Sequence, residues 1–314
     1  MTVDRIPVSS GGPEGTNSAY VLPDRGILVD PGPPGEEAWA ELCEGLRGAG
    51  VALDAIDHVV ATHWHADHVG LTTRLAAAAD ATIHMHERDA PLLADYAAER
   101  ERRLRRDERT MRSWGVPADL AAAVVDGDEP SPLPDRTPVE AHADGDDIAG
   151  ATMVHTPGHT AGHLALAVDG HLFVGDTVLP MYTPNVGGSD TRTTDPLASF
   201  LDSLDRLDRL EATVHPGHGT TDDLAGRSES IREHHRTRSR RVLDRASRLD
   251  RPTPWAIATD LFGEMRGVHA KFGAGEAAAH LGYLEGHGDV ERVDEEPLRF
   301  ESSREPESDP TAFE

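Results

Sequence analysis

The sequence predicts an α+β protein in which short buried strands, packed as sheets, present loops bearing His and Asp along one edge, followed by a helical module. Three observations carry this. Apolar runs of a few residues end four times in loops bearing His or Asp. Helical stretches separate several of these runs. From about Thr221 the pattern changes to long helices with charged faces. At 314 residues the chain is long enough to bury a sizeable core, as one large domain or two.

The densest loop is Thr62-His63-Trp64-His65-Ala66-Asp67-His68. His and Asp are normally exposed unless something pairs with them, so three imidazoles and a carboxylate within residues 63–68 are hard to explain as packing. Residues 56–61 read as a buried strand and 69–75 as a helix start, which places the cluster on a strand-to-helix loop where a rigid scaffold presents ligands. Neutral imidazole and carboxylate suit Zn²⁺. His63 and His65 can converge on one ion, and Asp67 and His68 are placed to reach a second. Downstream, His159 follows the strand 151–154 in a Pro-Gly turn, Asp176 ends the strand 173–175, and His218 follows Val214-His215-Pro216-Gly217.

These four motifs, in this order and at these intervals, resemble the metallo-β-lactamase superfamily over about residues 1–220. The resemblance implies an αββα sandwich. It also implies a first metal held by His63, His65 and His159, a second held by Asp67, His68 and His218, and Asp176 bridging them. Cys at position 176 would have pointed to a true zinc β-lactamase. Asp there resembles the binuclear hydrolases instead: hydroxyacylglutathione hydrolases (glyoxalase II-like thioesterases), lactonases, phosphodiesterases and RNases. Asp30, which stops an apolar strand at Pro31-Gly32, corresponds to a residue that orients a ligand histidine; a turn-forming Asp is the alternative.

The formal charge is −26, and Lys271 is the only lysine. This acidic, lysine-poor composition resembles proteins from organisms that keep molar salt in the cytoplasm, where a Debye length of about 3 Å screens self-repulsion. An acidic mesophilic protein is the other reading. Cys43 stands alone, so no disulfide framework exists within the chain, and it reads as a small packing residue. With neither a signal-like opening nor a run of 18 apolar residues, a cytoplasmic protein without a membrane partner is expected.

In chain order, residues 3–8, 17–22 and 26–30 read as strands, the last two as a hairpin. Helix 35–48, strand 56–61, helix 69–78 and strand 81–86 follow. His84 and His86 alternate with apolar residues and read as structural, or at most as orienting a ligand. Residues 88–145 are expected to be a helical insertion. Its Arg-rich stretch 99–109 is either a clamp for an anionic substrate or a solvated helix with i,i+4 Glu–Arg pairs. Residues 151–176 give three strands. The long 179–190 loop places Tyr182 near the substrate, where its phenol can donate to a developing oxyanion; packing beside the loop is equally open. A helix from 195 to about 210 and the strand to His218 close a catalytic domain, residues 1–221. Residues 222–300 read as helix, helix, helix and hairpin, resembling the winged-helix module of one branch of the superfamily. Residues 301–314 read as an acidic disordered tail.

The expected chemistry is hydrolysis by a hydroxide bridging two Zn²⁺ ions, with Mn or Fe as alternative metals. Asp67 is expected to be both a ligand and the acceptor that aims the nucleophile. A thioester or ester is the first substrate class. A metal-dependent RNase on single-stranded RNA is second; the tail favours it and the charge opposes it. A sulfur dioxygenase-like iron protein, or a sensor whose tail binds nucleic acid or forms a homodimer, are further readings.

Overall fold

The computed structural model describes residues 1–12, 15–306 and 309–311, without the side chains of residues 9–12. Two compact units interleave along the chain. The first comprises Met1–Arg100, Pro130–Pro184 and Ser203–Ser228; the second comprises Glu101–Glu129, Asn185–Asp202 and Glu229–Glu314.

The first unit is built on two sheets. Strands β1 (Asp4–Gly12), β2 (Gly15–Leu22), β3 (Ile27–Val29), β4 (His58–Val60), β5 (Thr82–His86) and β6 (Glu140–His142) form one sheet in that order. The first three are antiparallel, and β3 through β6 run parallel. Strands β7 (Asp147–Ile148), β8 (Ala151–His155), β9 (Leu164–Val168), β10 (His171–Gly175) and β11 (Thr213–Pro216) form the second, in the order β11-β10-β9-β8-β7.

Period-two alternation assigns the faces. Tyr20, Leu22, Val29 and Val60 point between the sheets, against Met153, Leu164, Leu166 and Phe173. Leu28, Val59 and Ile83 point outward, against helices α1 (Glu36–Gly48) and α3 (Thr72–Ala79). Buried on both faces, β3 is a continuous apolar run, as central parallel strands are. Helix α1 repeats Ala38, Leu42 and Leu46 on one face, with Glu36 and Glu37 at its start and Arg47 at its end, matching the helix dipole. Each fully buried leucine here contributes about 2 kcal/mol. On the outer side of the second sheet, helix α7 (Pro196–Asp208) bonds through Ser203 to Pro157 O and through Arg206 to His155 O. The layers are those of the expected αββα sandwich.

The expected helix 69–78 begins at Thr72, and a separate short helix α2 (Ala66–Val69) precedes it within the metal loop, with Gly70 at the break. A Cβ on Gly70 would lie 2.2 Å from the Pro34 nitrogen, so only glycine lets this turn pass the Pro33-Pro34 loop. A short helix α4 (Pro91–Ala94) follows β5.

In the second unit, α5 (Tyr96–Ser113) and α6 (Ala118–Asp126) supply Met111, Trp114, Val116 and Ala121 to a cluster with Ala274 of α10 (Val268–Gly286). Residues 101–129 of the expected insertion therefore pack with the C-terminal helices, and the rest belongs to the first unit. Arg103 pairs with Asp107 and Asp128, Arg105 with Glu101, and Arg106 donates to Thr191. Arg103 and Arg105 thus meet acidic partners, Arg103 in a largely buried setting, while Arg106 meets a hydroxyl. Helices α8 (Leu224–Arg248), α9 (Pro254–Phe262) and α10 precede a hairpin of β12 (Val290–Glu295) and β13 (Leu298–Ser302), as the sequence predicts. Helix α10 is buried all round rather than on one face, from Ala270 to Leu284.

The tail is more ordered than its composition suggests. Residues 301 and 302 belong to β13, and buried Asp289 accepts bonds from Arg304 and Thr311. Residues 307, 308 and 312–314 of that expected tail lie outside the described residues. No helix among the described residues is long and apolar enough to cross a membrane.

The lone lysine is a structural ion. Lys271 is 6% exposed and its Nζ lies 2.8 Å from Asp107 Oδ2, while Thr191 donates to Asp107 Oδ1. Removing Lys271 would leave the buried Asp107 carboxylate with only the longer Arg103 contact at 3.5 Å and the Thr191 hydroxyl. Lys271→Met is expected to lower unfolding free energy by about 3 kcal/mol in a denaturant titration, and the double variant Lys271→Met/Asp107→Leu to recover most of that loss.

Candidate metal centre

Strands β4, β8, β10 and β11 all end at the same rim of the sandwich. The loops beyond them are stitched by backbone bonds: Leu164 N to Thr62 O, Gly217 N to Gly175 O and Ser18 N to Gly217 O, each 2.8 Å. The stitching brings together every metal residue expected from the sequence. Ligating atoms of His63, His65 and His159 lie within 4.8 Å of one another, as do those of His63, His68 and Asp176, and those of Asp67, His68 and His218.

In the first group, His65 Nδ1 lies 3.0 Å from both His63 Nε2 and His159 Nε2. One imidazole nitrogen cannot satisfy two others by ordinary hydrogen bonds. Tetrahedral bonds of about 2.05 Å would place such nitrogens about 3.3 Å apart, close to what is seen. In the second group, Asp67 Oδ2 is 3.5 Å from His68 Nε2 and 3.3 Å from His218 Nε2. Asp176 stands between the groups, its Oδ2 4.0 Å from His159 Nε2 and 3.6 Å from His218 Nε2, and its Oδ1 3.4 Å from His68 Nε2. These separations exceed good hydrogen-bond lengths. His68 Nε2, Asp176 Oδ1 and both ring nitrogens of His218 are buried without a hydrogen-bond partner among the described residues. Orphaned donors and acceptors aimed at one another are what a pair of cations would satisfy, so the donor set fits two metal ions.

The charges divide the centre. Burial, together with neighbouring His68 and His65, holds the His63 imidazole well below its ordinary range; burial, with His159, takes His65 down to about 3. These rings offer neutral lone pairs. Burial also opposes charge on His68 and His218, but the carboxylates of Asp176 and Asp67 outweigh it, raising His68 well above its usual value and His218 to about 9. The carboxylate side of the centre thus demands positive charge.

A second ring of residues aims the first. Asp30 Oδ2 lies 2.9 Å from His68 Nδ1, which leaves Nε2 facing the carboxylates. The same carboxylate takes bonds from Thr62 N and Thr62 Oγ1, both 2.7 Å, and Thr62 Oγ1 meets His63 Nδ1 at 3.0 Å. Asp30 is thus the histidine-orienting residue that the resemblance implies, held at a left-handed φ of 48°. His163, fully buried, accepts the Asp176 N–H at 3.0 Å and is anchored by Thr156 and Thr177. Gly175, at φ 48°, must be glycine, because a Cβ would lie 2.6 Å from Thr62 Oγ1 and 2.7 Å from His163 Nε2.

Asp89 and Asn17 escape the sequence reading. Asp89 accepts from Thr160 Oγ1 at 2.7 Å and Gly162 N at 2.9 Å, fixing the loop of His159. Asn17 donates to Asp67 O at 3.0 Å and to Asp67 Oδ2 at 3.3 Å. Neither stands in a local motif. Tyr182 is 52% exposed; Arg227 holds its carbonyl, while its hydroxyl bonds to none of the cluster.

The comparisons agree with this geometry. The family described as the metallo-beta-lactamase superfamily matches residues 11–218. The chain is 28% identical over 277 residues to the probable metallo-hydrolase YqjP of Bacillus subtilis, covering 82% of this chain and 84% of that protein. It is 26% identical to an atrochrysone carboxyl ACP thioesterase of Pseudocercospora fijiensis, over 67% of this chain and 49% of that one. Among solved structures, the metallo-beta-lactamase family protein TTHA1429 from Thermus thermophilus superposes with a TM-score of 0.75 at 28% identity, over 96% of this chain and 98% of that one. With the family match running through every loop of the centre and the fold shared along nearly the whole length, the chain belongs to the metallo-beta-lactamase superfamily.

Proposed function

We propose that the protein is a binuclear zinc hydrolase acting on a thioester or ester. The observation that carries this reading is the position of Asp176, a carboxylate facing both nitrogen groups at 3.4 to 4.0 Å. In this reading His63, His65 and His159 would hold one ion and Asp67, His68 and His218 the other, with Asp176 within reach of both. Zinc in these positions would supply Lewis acidity and lower the pKa of nearby water.

The chain's own part is to aim and to take a proton. Asp67, its side chain 33% exposed, is the most exposed member of its group, and Asn17 donates to its carboxylate. Asp67 accepts the proton of the attacking water. Tyr182 stands on the neighbouring loop, exposed, and donates its phenol proton in a hydrogen bond to the oxyanion developing on the substrate carbonyl. A thioester suits this arrangement, because a thiol ionises near pH 8.5 and leaves as thiolate with little help from a general acid. The thioesterase named among the relatives supports the same choice.

Cleavage of single-stranded RNA is the second reading, favoured by the three helices and hairpin that follow residue 222. Against it, Arg238, Arg240, Arg245 and Arg248 of α8 each meet a carboxylate, of Glu276, Asp309, Asp260 and Asp244. Arginines already paired contribute little to binding a polyanion, and a net charge of −26 repels one. The acidic, lysine-poor composition supports a salt-rich cytoplasm as the working environment.

Zinc-loaded protein in molar KCl is expected to turn over an acyl thioester and to leave a short single-stranded RNA intact, with His65→Ala reducing thioester turnover more than about a hundredfold. RNA cleavage without thioester turnover would reverse the order of the two readings. Asp30→Asn removes the charged acceptor behind His68 and is expected to weaken zinc binding about tenfold to a hundredfold in a competition titration, with the circular dichroism spectrum unchanged.

A further inference from the structure

The first sheet carries a second gathering of ligating side chains, outside the centre described above. In the parallel register of β5 and β6, His84 pairs with Glu140 and His86 with His142. His84 Nδ1 lies 3.0 Å from His142 Nε2, and Glu140 Oε2 lies 3.5 Å from the first nitrogen and 4.0 Å from the second. Three atoms so spaced surround one point, with bonds of about 2 Å available from each to a shared ion.

One of the remaining ring nitrogens has the outer partner that a ligating imidazole needs: His84 Nε2 faces His58 Nδ1 at 3.0 Å, which favours the tautomer that turns His84 Nδ1 toward Glu140 as a lone pair. The Asp146 carboxylate stands beside the His142 ring, 3.6 Å from Nδ1 and beyond hydrogen-bond length. Burial, with the imidazoles of His142 and His58 beside it, lowers His84 to about 4, so its ring is neutral at physiological pH. The Glu140 side chain is 64% exposed, which opens the cluster to solvent.

We propose that His84, Glu140 and His142 bind a divalent transition-metal ion of the zinc, cobalt or nickel class, with His58 positioning the His84 imidazole. The ion clips the three-residue edge strand β6 to β5, where a short ladder alone gives little hold. His84, structural on the sequence pattern alone, thus acquires a chemical role.

The test is a calorimetric titration of the full-length, metal-stripped protein with Co²⁺, comparing the parent with His142→Ala and Glu140→Gln. The expected result is that His142→Ala loses one bound equivalent and that Glu140→Gln weakens the same class of site about tenfold or more. Thioester turnover by the zinc-loaded variants is expected to be unchanged. Equal stoichiometry and affinity in all three proteins would overturn the proposal and leave a hydrogen-bonded row of imidazoles. Because the readout is a difference between variants, it does not depend on how many ions the catalytic centre holds. Glu140 lies exposed on an edge strand, so its variant carries the test should His142→Ala fold poorly.

Discussion

Everything at the sandwich rim depends on the attraction between positive charge and two carboxylates, Asp67 and Asp176, held among five imidazoles. Burying such groups together costs several kcal/mol per ion unless opposite charge sits between them. The response of the rings makes the demand visible: His68 and His218 are driven toward their protonated forms despite burial, while His63 and His65 are held neutral. A proton satisfies one carboxylate contact at a time. A divalent cation satisfies a carboxylate and two or three ring nitrogens at once, which is why this donor set is metal-binding chemistry rather than an ion-pair network.

Holding the donors in place is the task of the scaffold. Strands from both sheets end at one level, and backbone bonds between their loops set the spacing before any side chain acts. Asp30 then links two ligand histidines through a single carboxylate, one directly and one through Thr62. Its left-handed backbone costs on the order of 1 kcal/mol, offset by three short hydrogen bonds. His163 and Gly175 act on the other side, where a missing Cβ lets the Asp176 strand pass close to Thr62. The ligands are therefore held from behind by hydrogen bonds, and Asp67 is left partly exposed at the rim.

How much of this is legible in the sequence follows from locality. The ligands can be read because each lies within a few residues of a strand end, and a strand ending in His or Asp is conspicuous against its apolar run. Asp30 is legible by the same rule. Asp89 is not, because it reaches Thr160 and Gly162 across more than seventy residues from a turn without a motif. The insertion reads as helical, but nothing local says that Met111, Trp114 and Ala121 pack with Ala274 of α10, since an amphipathic face does not say what covers it. The start of the tail departs from its composition for a similar reason: buried Asp289 orders Arg304 and Thr311 through contacts that composition cannot register.

The most direct measurement is the anomalous scattering of crystals grown with zinc, recorded on both sides of the zinc edge. Two peaks at the sandwich rim are predicted, one among His63, His65 and His159 and one among Asp67, His68 and His218, with Asp176 reaching both. A single peak at the rim would contradict the binuclear centre, and two peaks that leave Asp176 without a metal contact would contradict the shared carboxylate on which the hydrolytic reading rests.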